Sequence, residues 1–293
     1  MAHPETATAT SPPIVLKRPA KLVAKRLRKR RKKDPVRAWV SRLNRYRPGL
    51  MGDTLAALRQ MYEQPTWERV YDPTSELILT MLSANSADIN AEKAFDLLCR
   101  HWPPQSDIRH TQDGAMYRPG WGGVGIEEGG ADWSAVADAP LDELIDVIRP
   151  GGLAPTKAPR IQAVLRRIFE ERGDYSLEFL GVLAPHEAMA WLTSVPGIGR
   201  KTASVVLLFA FGMPLMPVDR HVERVSIRIG LIPPKKTAEQ AHDYLQAMLE
   251  PEQVHEAHVN LITHGRQTCH ALRPEHDRCA IAWRCRFVDP KAP

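Results

Sequence analysis

Two residues in the second half of the chain have the types and the placement for covalent chemistry. Lys201 and Asp219 lie eighteen positions apart, each beside the predicted start of a helix. A lysine amine is a nucleophile only when unprotonated, and activity near neutrality needs its pKa lowered from ~10.4 to roughly 7–8. Burial and a neighbouring cation such as Arg200 would lower the pKa of Lys201. The Asp219 carboxylate would cap its helix or point into a cleft.

The segment before Lys201 is suited to hold a phosphate. An amphipathic helix ends at Pro196, and the turn VPGIG at 195–199 leads into a second helix. Gly197 and Gly199 allow positive φ and place no Cβ between the backbone and an approaching group. The unpaired amides and the dipole of the second helix favour an anion at this turn. A lone turn of this kind is usually an ordinary helical hairpin, so the residues that follow it decide the interpretation.

Three of the four cysteines are clustered near the C-terminus. Cys269, Cys279 and Cys285 fall within seventeen residues. The N-terminus has no signal-like apolar segment, so this clustering points to a metal more than to disulfides. Cys99 lies far away in sequence on a predicted helix and is expected to be a core residue.

Positive charge is concentrated at the N-terminus. The chain of 293 residues carries a formal charge of +6, but residues 1–33 contain eleven basic side chains and one acid, which leaves −4 for the rest. We expect this run to be a disordered extension that binds a polyanion, nucleic acid rather than membrane, through counterion release. A targeting address is the alternative. No apolar run approaches the ~18 residues of a membrane span, so an intracellular, DNA-associated protein is expected.

The elements that must position these residues are helices. Apolar residues recur at helical spacing, without a convincing strand pattern or internal repeat, so the chain is predicted to be all-α. Candidate N-caps are Ser75, Asp88 and Asp219. Residues 103–133, rich in Gly and Pro, are expected to form a long loop or insertion. The predicted helices cover 36–47, 53–62, 77–82, 89–101, 141–149, 156–171, 185–194, 200–211, 219–229, 237–249 and 251–265.

Four ordered segments resemble a known family. The segment VPGIGRKTASVVLLFAFGMPLMPVDRHVERVSIRIGL at 195–231 is similar to the helix-hairpin-helix and Gly/Pro-Asp loop of endonuclease III-type DNA glycosylases. Three further segments resemble other parts of the family: MLSANSAD at 81–88, GGLAPTKAPRI at 151–161 and LITHGRQTC at 261–269. The match covers roughly residues 65–290 apart from the insertion.

The resemblance implies a two-domain helix-hairpin-helix glycosylase fold with a DNA-binding cleft between the domains. A six-helix domain would span residues 69–216 and contain the hairpin at 186–211. The second helical domain would combine residues 36–68 with 217–293, and residues 1–35 would form the basic tail.

The resemblance also implies roles for individual residues. Lys201 matches the Schiff-base nucleophile of the family, and Asp219 matches its catalytic carboxylate. Asn85 lies where the family, often with glutamine, inserts a side chain into the gap left by the flipped base. The other DNA-binding candidates belong to the hairpin, whose amides would contact a phosphate: Gly197, Gly199, Arg200 and Thr202.

The C-terminal loop keeps the family spacing for a [4Fe–4S] cluster, C-x6-C-x2-C-x5-C. Its four positions are Cys269, His276, Cys279 and Cys285, so a histidine replaces the second cysteine. Three alternatives follow: a cluster with one imidazole ligand, a zinc site of three thiolates and one imidazole, or packed cysteines without metal. In each case the loop is expected to order basic groups against DNA, namely Arg273, Arg278 and Arg284.

The function implied by the resemblance is that of a base-excision DNA glycosylase with AP lyase activity. It would act as a monomer on double-stranded DNA that contains damaged bases or abasic sites, preferably oxidised pyrimidines. Oxidised purines, alkylated bases and mismatched thymine are alternative lesions. A non-catalytic helix-hairpin-helix DNA-binding module is the alternative class, and the presence of both Lys201 and Asp219 disfavours it.

Overall fold

The computed structural model describes residues 34–104 and 130–293, and the regular elements in these residues are helices without strands. This confirms the predicted all-α class. Residues 1–33 of the predicted tail and 105–129 of the predicted insertion lie outside the described residues. Within those residues, none of the helices has the length and apolarity needed to cross a bilayer. The α-helices are α1 (Pro35–Tyr46), α2 (Leu50–Tyr62), α3 (Pro73–Ser83), α4 (Asp88–His101), α5 (Trp133–Asp138), α6 (Leu141–Ile148), α7 (Ala154–Arg172), α8 (Pro185–Ser194), α9 (Arg200–Phe211), α10 (Arg220–Ile229), α11 (Ala238–Gln246) and α12 (Val254–Gln267).

The start of α3 differs from the sequence prediction. Asp72, not Ser75, is the N-cap, because its Oδ1 accepts hydrogen bonds from the amides of Thr74 (2.9 Å) and Ser75 (3.0 Å). Pro73 occupies the first helical position, where its missing N–H and fixed φ suit a helix start. The predicted cap at Ser75 is therefore wrong by one helical turn.

Helix α5 was not predicted. Asp132 caps it by accepting from the amides of Ser134 and Ala135, both at 3.0 Å. Trp133 and Val136 are buried in the adjoining core. Six residues are too few for a helical period to be recognised beside a Gly-rich segment.

Buried apolar side chains form two clusters. The first contains side chains from α3 to α9, and the second contains side chains from α1, α2 and α9 to α12. Helix α9 contributes to both, with Ala203 and Val206 in the first cluster and Val205 and Leu208 in the second. The start of α9 is thus held by both clusters. Residues 35–293 group as one compact unit, so the division into two domains remains a prediction.

Cys99 on α4 packs against the first cluster, as predicted for a core residue. Burial raises the pKa of its thiol to about 12. This thiol is therefore uncharged at neutral pH and acts as a small apolar side chain.

Helices α10 and α12 approach closely at Gly265. A Cβ at this position would lie 2.8 Å from the Cβ of His221 and 3.3 Å from its backbone. Glycine is therefore required for the observed crossing, which brings the start of α10 next to the end of α12.

Candidate active site and metal pocket

The turn between α8 and α9 exposes its backbone while its apolar side chains anchor it. Val195 and Ile198 are buried in the first cluster. Gly197 is exposed and has φ +94°, in the left-handed region that glycine tolerates. Gly199 has extended backbone with φ −92°, so the positive φ expected there is wrong. A Cβ at Gly197 or Gly199 would meet no atom within 4 Å, so a ligand can approach both amides closely.

Lys201 lies in the first turn of α9 with its amine buried. Burial lowers the pKa of this amine, and Arg266 lowers it further, while the carboxylates of Asp219 and Asp88 raise it. Because burial is the largest contribution, the net direction is downward. A lysine in this state has a larger neutral fraction at a given pH than an exposed one, as a nucleophile requires.

Arg200 does not supply the cation expected beside Lys201. Its guanidinium extends to α11, where it pairs with Asp243 (2.7 Å) and Glu239 (3.4 Å). The positive charge that lowers the pKa of Lys201 comes from Arg266 instead. Thr202 follows Lys201 in the same turn and is half-buried.

Asp219 is the N-cap of α10, as predicted. Its Oδ1 accepts hydrogen bonds from the amides of His221 (2.9 Å) and Val222 (2.8 Å). The charge of the same carboxylate raises the pKa of Lys201, so the two groups are close enough to interact. The cap therefore fixes the position of the carboxylate that faces the amine.

Asp88 is part of this charged group rather than a helix cap. It is the first residue of α4, whose N-cap is Ala87 without a side-chain hydrogen bond, so the predicted cap is wrong. Its carboxylate forms an ion pair with Arg266 of α12. Burial raises the pKa of Asp88, whereas Arg266 and Lys201 lower it. The network thus joins α4, α9 and α12 around Lys201.

Asn85 is exposed at the tip of the loop between α3 and α4. Its φ of +55° lies in the left-handed region, which asparagine adopts more readily than most residues. The buried amine of Lys157 holds this loop by donating to Leu82 O (2.5 Å), Ser86 Oγ (2.8 Å) and Gly151 O (2.9 Å). The loop therefore presents Asn85 outward on a fixed base.

The four predicted metal ligands line one pocket. One space between the end of α12 and the C-terminal segment is lined by Cys269, His276, Cys279 and Cys285. That segment contains short 3-10 turns at His276–Arg278 and Ala282–Arg284. Among the residues that the structure describes, no three His, Cys, Asp or Glu side chains converge enough to hold a single metal ion.

Polar groups surround the sulfur atoms of the pocket. Arg228 donates to Cys269 Sγ at 3.2 Å, and His264 Nε2 lies 3.5 Å from Cys279 Sγ. The other ring nitrogen of His264 is hydrogen bonded to Tyr62 Oη at 3.0 Å, and burial lowers the pKa of this histidine to about 4.

Of these two groups, only Arg228 is a charge-assisted donor, of the kind that stabilises a thiolate, because His264 with its lowered pKa is neutral at pH 7. Burial raises the pKa of Cys279 and Cys285, which favours their neutral thiols until a metal binds. Thiolates and imidazoles are ligands of iron and zinc, so the donor types suit a metal centre, but the side chains must move closer together to bind one.

The arginines of this loop are not equivalent. Arg273 and Arg278 are exposed, and Arg278 pairs with Glu275 at 2.6 Å. Arg284 is buried and contacts Pro48 O (2.9 Å) and Asp53 (3.3 Å). The expectation that Arg284 faces DNA is wrong, because its guanidinium is used inside the fold.

Sequence reasoning missed Arg266, Asp88 and His258 as site residues. The first two lie in the family-like segments at 261–269 and 81–88, and each is a charged residue in a predicted helical region. His258 is a polar residue on the apolar face of its helix, and it is buried beside Asp219 and Lys201. These site residues could have been found from the sequence by looking for polar residues at positions that the helical period assigns to the core.

A comparison with protein families identifies the class. Residues 78–251 match the HhH-GPD superfamily of base excision DNA repair proteins. The match covers more than half of the chain, which therefore belongs to this superfamily. The family inferred from the sequence is confirmed.

Several of the relatives are endonuclease III proteins. The chain is 36% identical to endonuclease III of Treponema pallidum over 157 residues, which cover 51% of this chain and 70% of the relative. It is 32% identical to endonuclease III of Sulfolobus acidocaldarius over 152 residues, 52% of this chain and 66% of that relative, slightly under two thirds of its length. A solved non-covalent endonuclease III–DNA complex superposes with a TM-score of 0.62 at 26% identity, covering 82% of this chain and 96% of the other.

Proposed function

We propose that this protein is a base-excision DNA glycosylase with AP lyase activity. The observation that carries the proposal is the placement of Lys201. It is a half-buried lysine whose amine has a lowered pKa because of burial, and it follows an exposed glycine turn beside the fixed carboxylate of Asp219. A non-catalytic DNA-binding module would need the turn but not the amine or the carboxylate.

The proposed reaction begins with a flipped nucleotide, since a stacked base cannot reach a buried amine. The neutral amine of Lys201 attacks C1′ of the sugar, the bond from C1′ to the base breaks, and the base leaves with the electron pair and takes a proton. Asp219 stabilises the positive charge that develops on the sugar and assists the proton transfers. The C1′–O4′ bond of the amine adduct then breaks and O4′ takes a proton, which opens the sugar ring and leaves a Schiff base at C1′. Loss of a C2′ proton expels the 3′ oxygen with the electron pair of the C3′–O bond, which nicks the strand.

The proposed partner is double-stranded DNA with a damaged or missing base. The exposed amides at Gly197 and Gly199, together with the start of α9, would bind a backbone phosphate. Arg200 and Thr202 flank this position. Asn85, at the tip of its loop, would enter the gap that the flipped nucleotide leaves.

Oxidised pyrimidines are the proposed lesions. The support is the similarity of the chain to endonuclease III, including one relative whose solved structure contains DNA. The lining of the base pocket decides which damaged base is accepted, so the assignment of oxidised pyrimidines is the finest detail of the proposed activity.

Borohydride trapping on a panel of duplexes tests the proposal. Reduction converts a Schiff base into a stable covalent adduct, so adducts with abasic and oxidised-pyrimidine duplexes are expected. An adduct with oxidised purine but not oxidised pyrimidine would reassign the lesion. Duplex binding without any adduct would instead support the binding module.

We also propose that the C-terminal pocket holds a [4Fe–4S] cluster through Cys269, His276, Cys279 and Cys285. These four side chains line the same space, and an arginine donor already contacts one of the sulfur atoms. When bound, the cluster would supply cross-linking of the C-terminal segment rather than redox chemistry at the sugar. Protein purified without oxygen should absorb near 400 nm, whereas zinc content without iron would select the zinc alternative.

A further inference from the structure

The segment Pro214–Asp219, which links α9 to α10 and ends at the catalytic carboxylate, is held mainly by side chains of other helices. On α11, Gln246 accepts from Met216 N (2.8 Å) and donates to Pro214 O (2.9 Å). His242 of the same helix donates from Nδ1 to Met216 O at 2.9 Å. The path of the segment therefore depends on donors and acceptors supplied from outside it.

His258 of α12 makes the contact nearest to Asp219. Its Nδ1 lies 3.1 Å from Pro217 O, and a carbonyl oxygen can only accept, so Nδ1 carries the proton. The ring is buried, and burial lowers the pKa of His258 to about 3. Its edge-to-face contact with Phe209 of α9, at 5.6 Å between centroids, fixes the ring plane.

The Asp219 carboxylate is thus fixed from both sides. Downstream, it caps α10 through the amides of His221 and Val222. Upstream, the carbonyl two residues earlier is bonded to His258. The charges of Asp219 and Lys201 both act on the His258 ring, so all three groups share one neighbourhood.

We propose that His258 is a positioning residue for the lyase reaction. Its Nδ1–H bond to the Pro217 carbonyl sets the place of the Asp219 carboxylate against Lys201. The inference rests on the proposed function, since the carboxylate needs this placement only if it assists chemistry at Lys201. His258 itself touches neither the DNA nor the reacting atoms in this account.

Three variants separate positioning from folding. His258→Asn keeps a side-chain N–H donor, and His258→Leu removes it at similar volume. Leu261→Ala is the matched control, because Leu261 is buried in the second cluster on the same helix and makes no contact with Pro214–Asp219 among the bonds described above. The rate of borohydride-trapped adduct on an abasic duplex is measured with enzyme in excess, together with the duplex Kd.

We expect His258→Leu to slow adduct formation at least about tenfold, because small displacements of a reacting group are costly. His258→Asn should stay within about threefold of the wild type. The duplex Kd should change less than about threefold in all variants, since phosphate contacts are untouched. Equal slowing by His258→Leu and Leu261→Ala, or failure of His258→Asn to restore the rate, would overturn the inference.

The hydrogen bond of His258 can also be tested on the wild-type protein, without any substitution. Nitrogen NMR of histidine labelled in the ring reports the tautomer of His258 at pH 7, and the Nδ1–H form is expected. The Nε2–H form would overturn the inference, because Nδ1 could not then donate to Pro217. Absence of any adduct with the wild type would refute the proposed function instead, and the tautomer would still report on the bond.

Discussion

The region around Lys201 and the region around Cys269 are held together by different means. Lys201 and Asp219 stand at the starts of α9 and α10, where a carboxylate bonded to backbone amides and two apolar clusters fix them. The segment after Thr268 contains only short 3-10 turns. Its backbone is tied by arginines: Arg228 donates to the carbonyls of His270 and Ala271, both at 2.7 Å.

The two regions therefore differ in whether a bound group is expected to hold them together. Helix packing alone can place Lys201 and Asp219, as the contribution of α9 to both clusters indicates. The pocket instead brings three thiols together beside the guanidinium of Arg228. Next to it, the buried Arg47 donates to the carbonyls of Ile229, a pocket residue, and Arg284. A metal centre would offset the cost of gathering these groups.

The largest effect on activity is expected from a substitution in the region around Lys201. Asp219→Asn should reduce turnover by roughly 10²–10⁴-fold, the usual contribution of a group that assists proton transfer. Asparagine is also a good N-cap, so thermal stability should change little. Asp132→Asn, at the cap of α5, should match that stability change without the loss of turnover. Single-turnover kinetics measures the rates, and calorimetry measures the stabilities. An equal loss of rate in Asp132→Asn and Asp219→Asn would contradict the assignment of Asp219 as the catalytic carboxylate.

In the second region, removal of a proposed sulfur ligand should affect metal binding and stability. Cys279→Ala should abolish iron binding and lower the melting temperature, because metal binding and local folding are coupled. His276→Cys should retain the iron. Iron analysis decides the outcome, and Cys99→Ala serves as the thiol control far from the pocket. Iron retained in full by Cys279→Ala would show that this thiol is not a ligand.

Gly265 lies where the two regions meet, so its substitution should affect both. Gly265→Ala forces a Cβ to within 2.8 Å of the His221 side chain. We expect a loss of about 1–3 kcal/mol in the free energy of unfolding, the usual cost of overpacking. Ala257→Gly on the same helix provides a control without added volume. Unchanged denaturant midpoints in Gly265→Ala would show that α10 and α12 separate easily.

The pH dependence is the smallest expected effect. The lowered pKa of Lys201 means that its neutral fraction, and so the single-turnover rate, rises with pH with a midpoint below the ordinary lysine pKa of 10.5. Arg266→Gln removes a cation that lowers this pKa and releases Asp88, so the rising limb should move to higher pH. Arg59→Gln, which breaks the pair with Glu256, should leave it in place. A shift to lower pH in Arg266→Gln would contradict the described electrostatics.

Local sequence signals were sufficient for the helices and for the pair Lys201 and Asp219. Apolar spacing fixes a helix within a few residues, and the cap at Asp219 is a short-range interaction. The ranges predicted for the hairpin, 185–194 and 200–211, coincide with α8 and α9. Helix α5 was not predicted, because six residues are too few to show a helical period.

Long-range packing decides what the sequence left open. The cation beside Lys201 is Arg266, which follows it in the chain by more than sixty residues, whereas the adjacent Arg200 is neutralised on α11. Arg284, like Arg200, is bound by groups of the protein itself: it contacts the carbonyl of Pro48 and the carboxylate of Asp53. Charge identity is visible in a sequence, but the direction of a long side chain depends on which helices meet.

The central claim is that Lys201 forms the covalent intermediate, and mapping the trapped adduct tests it most directly. Borohydride-reduced enzyme on an abasic duplex is digested, and the modified peptide is identified by mass spectrometry. The account predicts a label on Lys201, no adduct in Lys201→Gln, and a duplex Kd within about tenfold of the wild type, since phosphate contacts remain. A label on Lys157, whose buried amine holds the loop of Asn85, or an undiminished adduct in Lys201→Gln would contradict it.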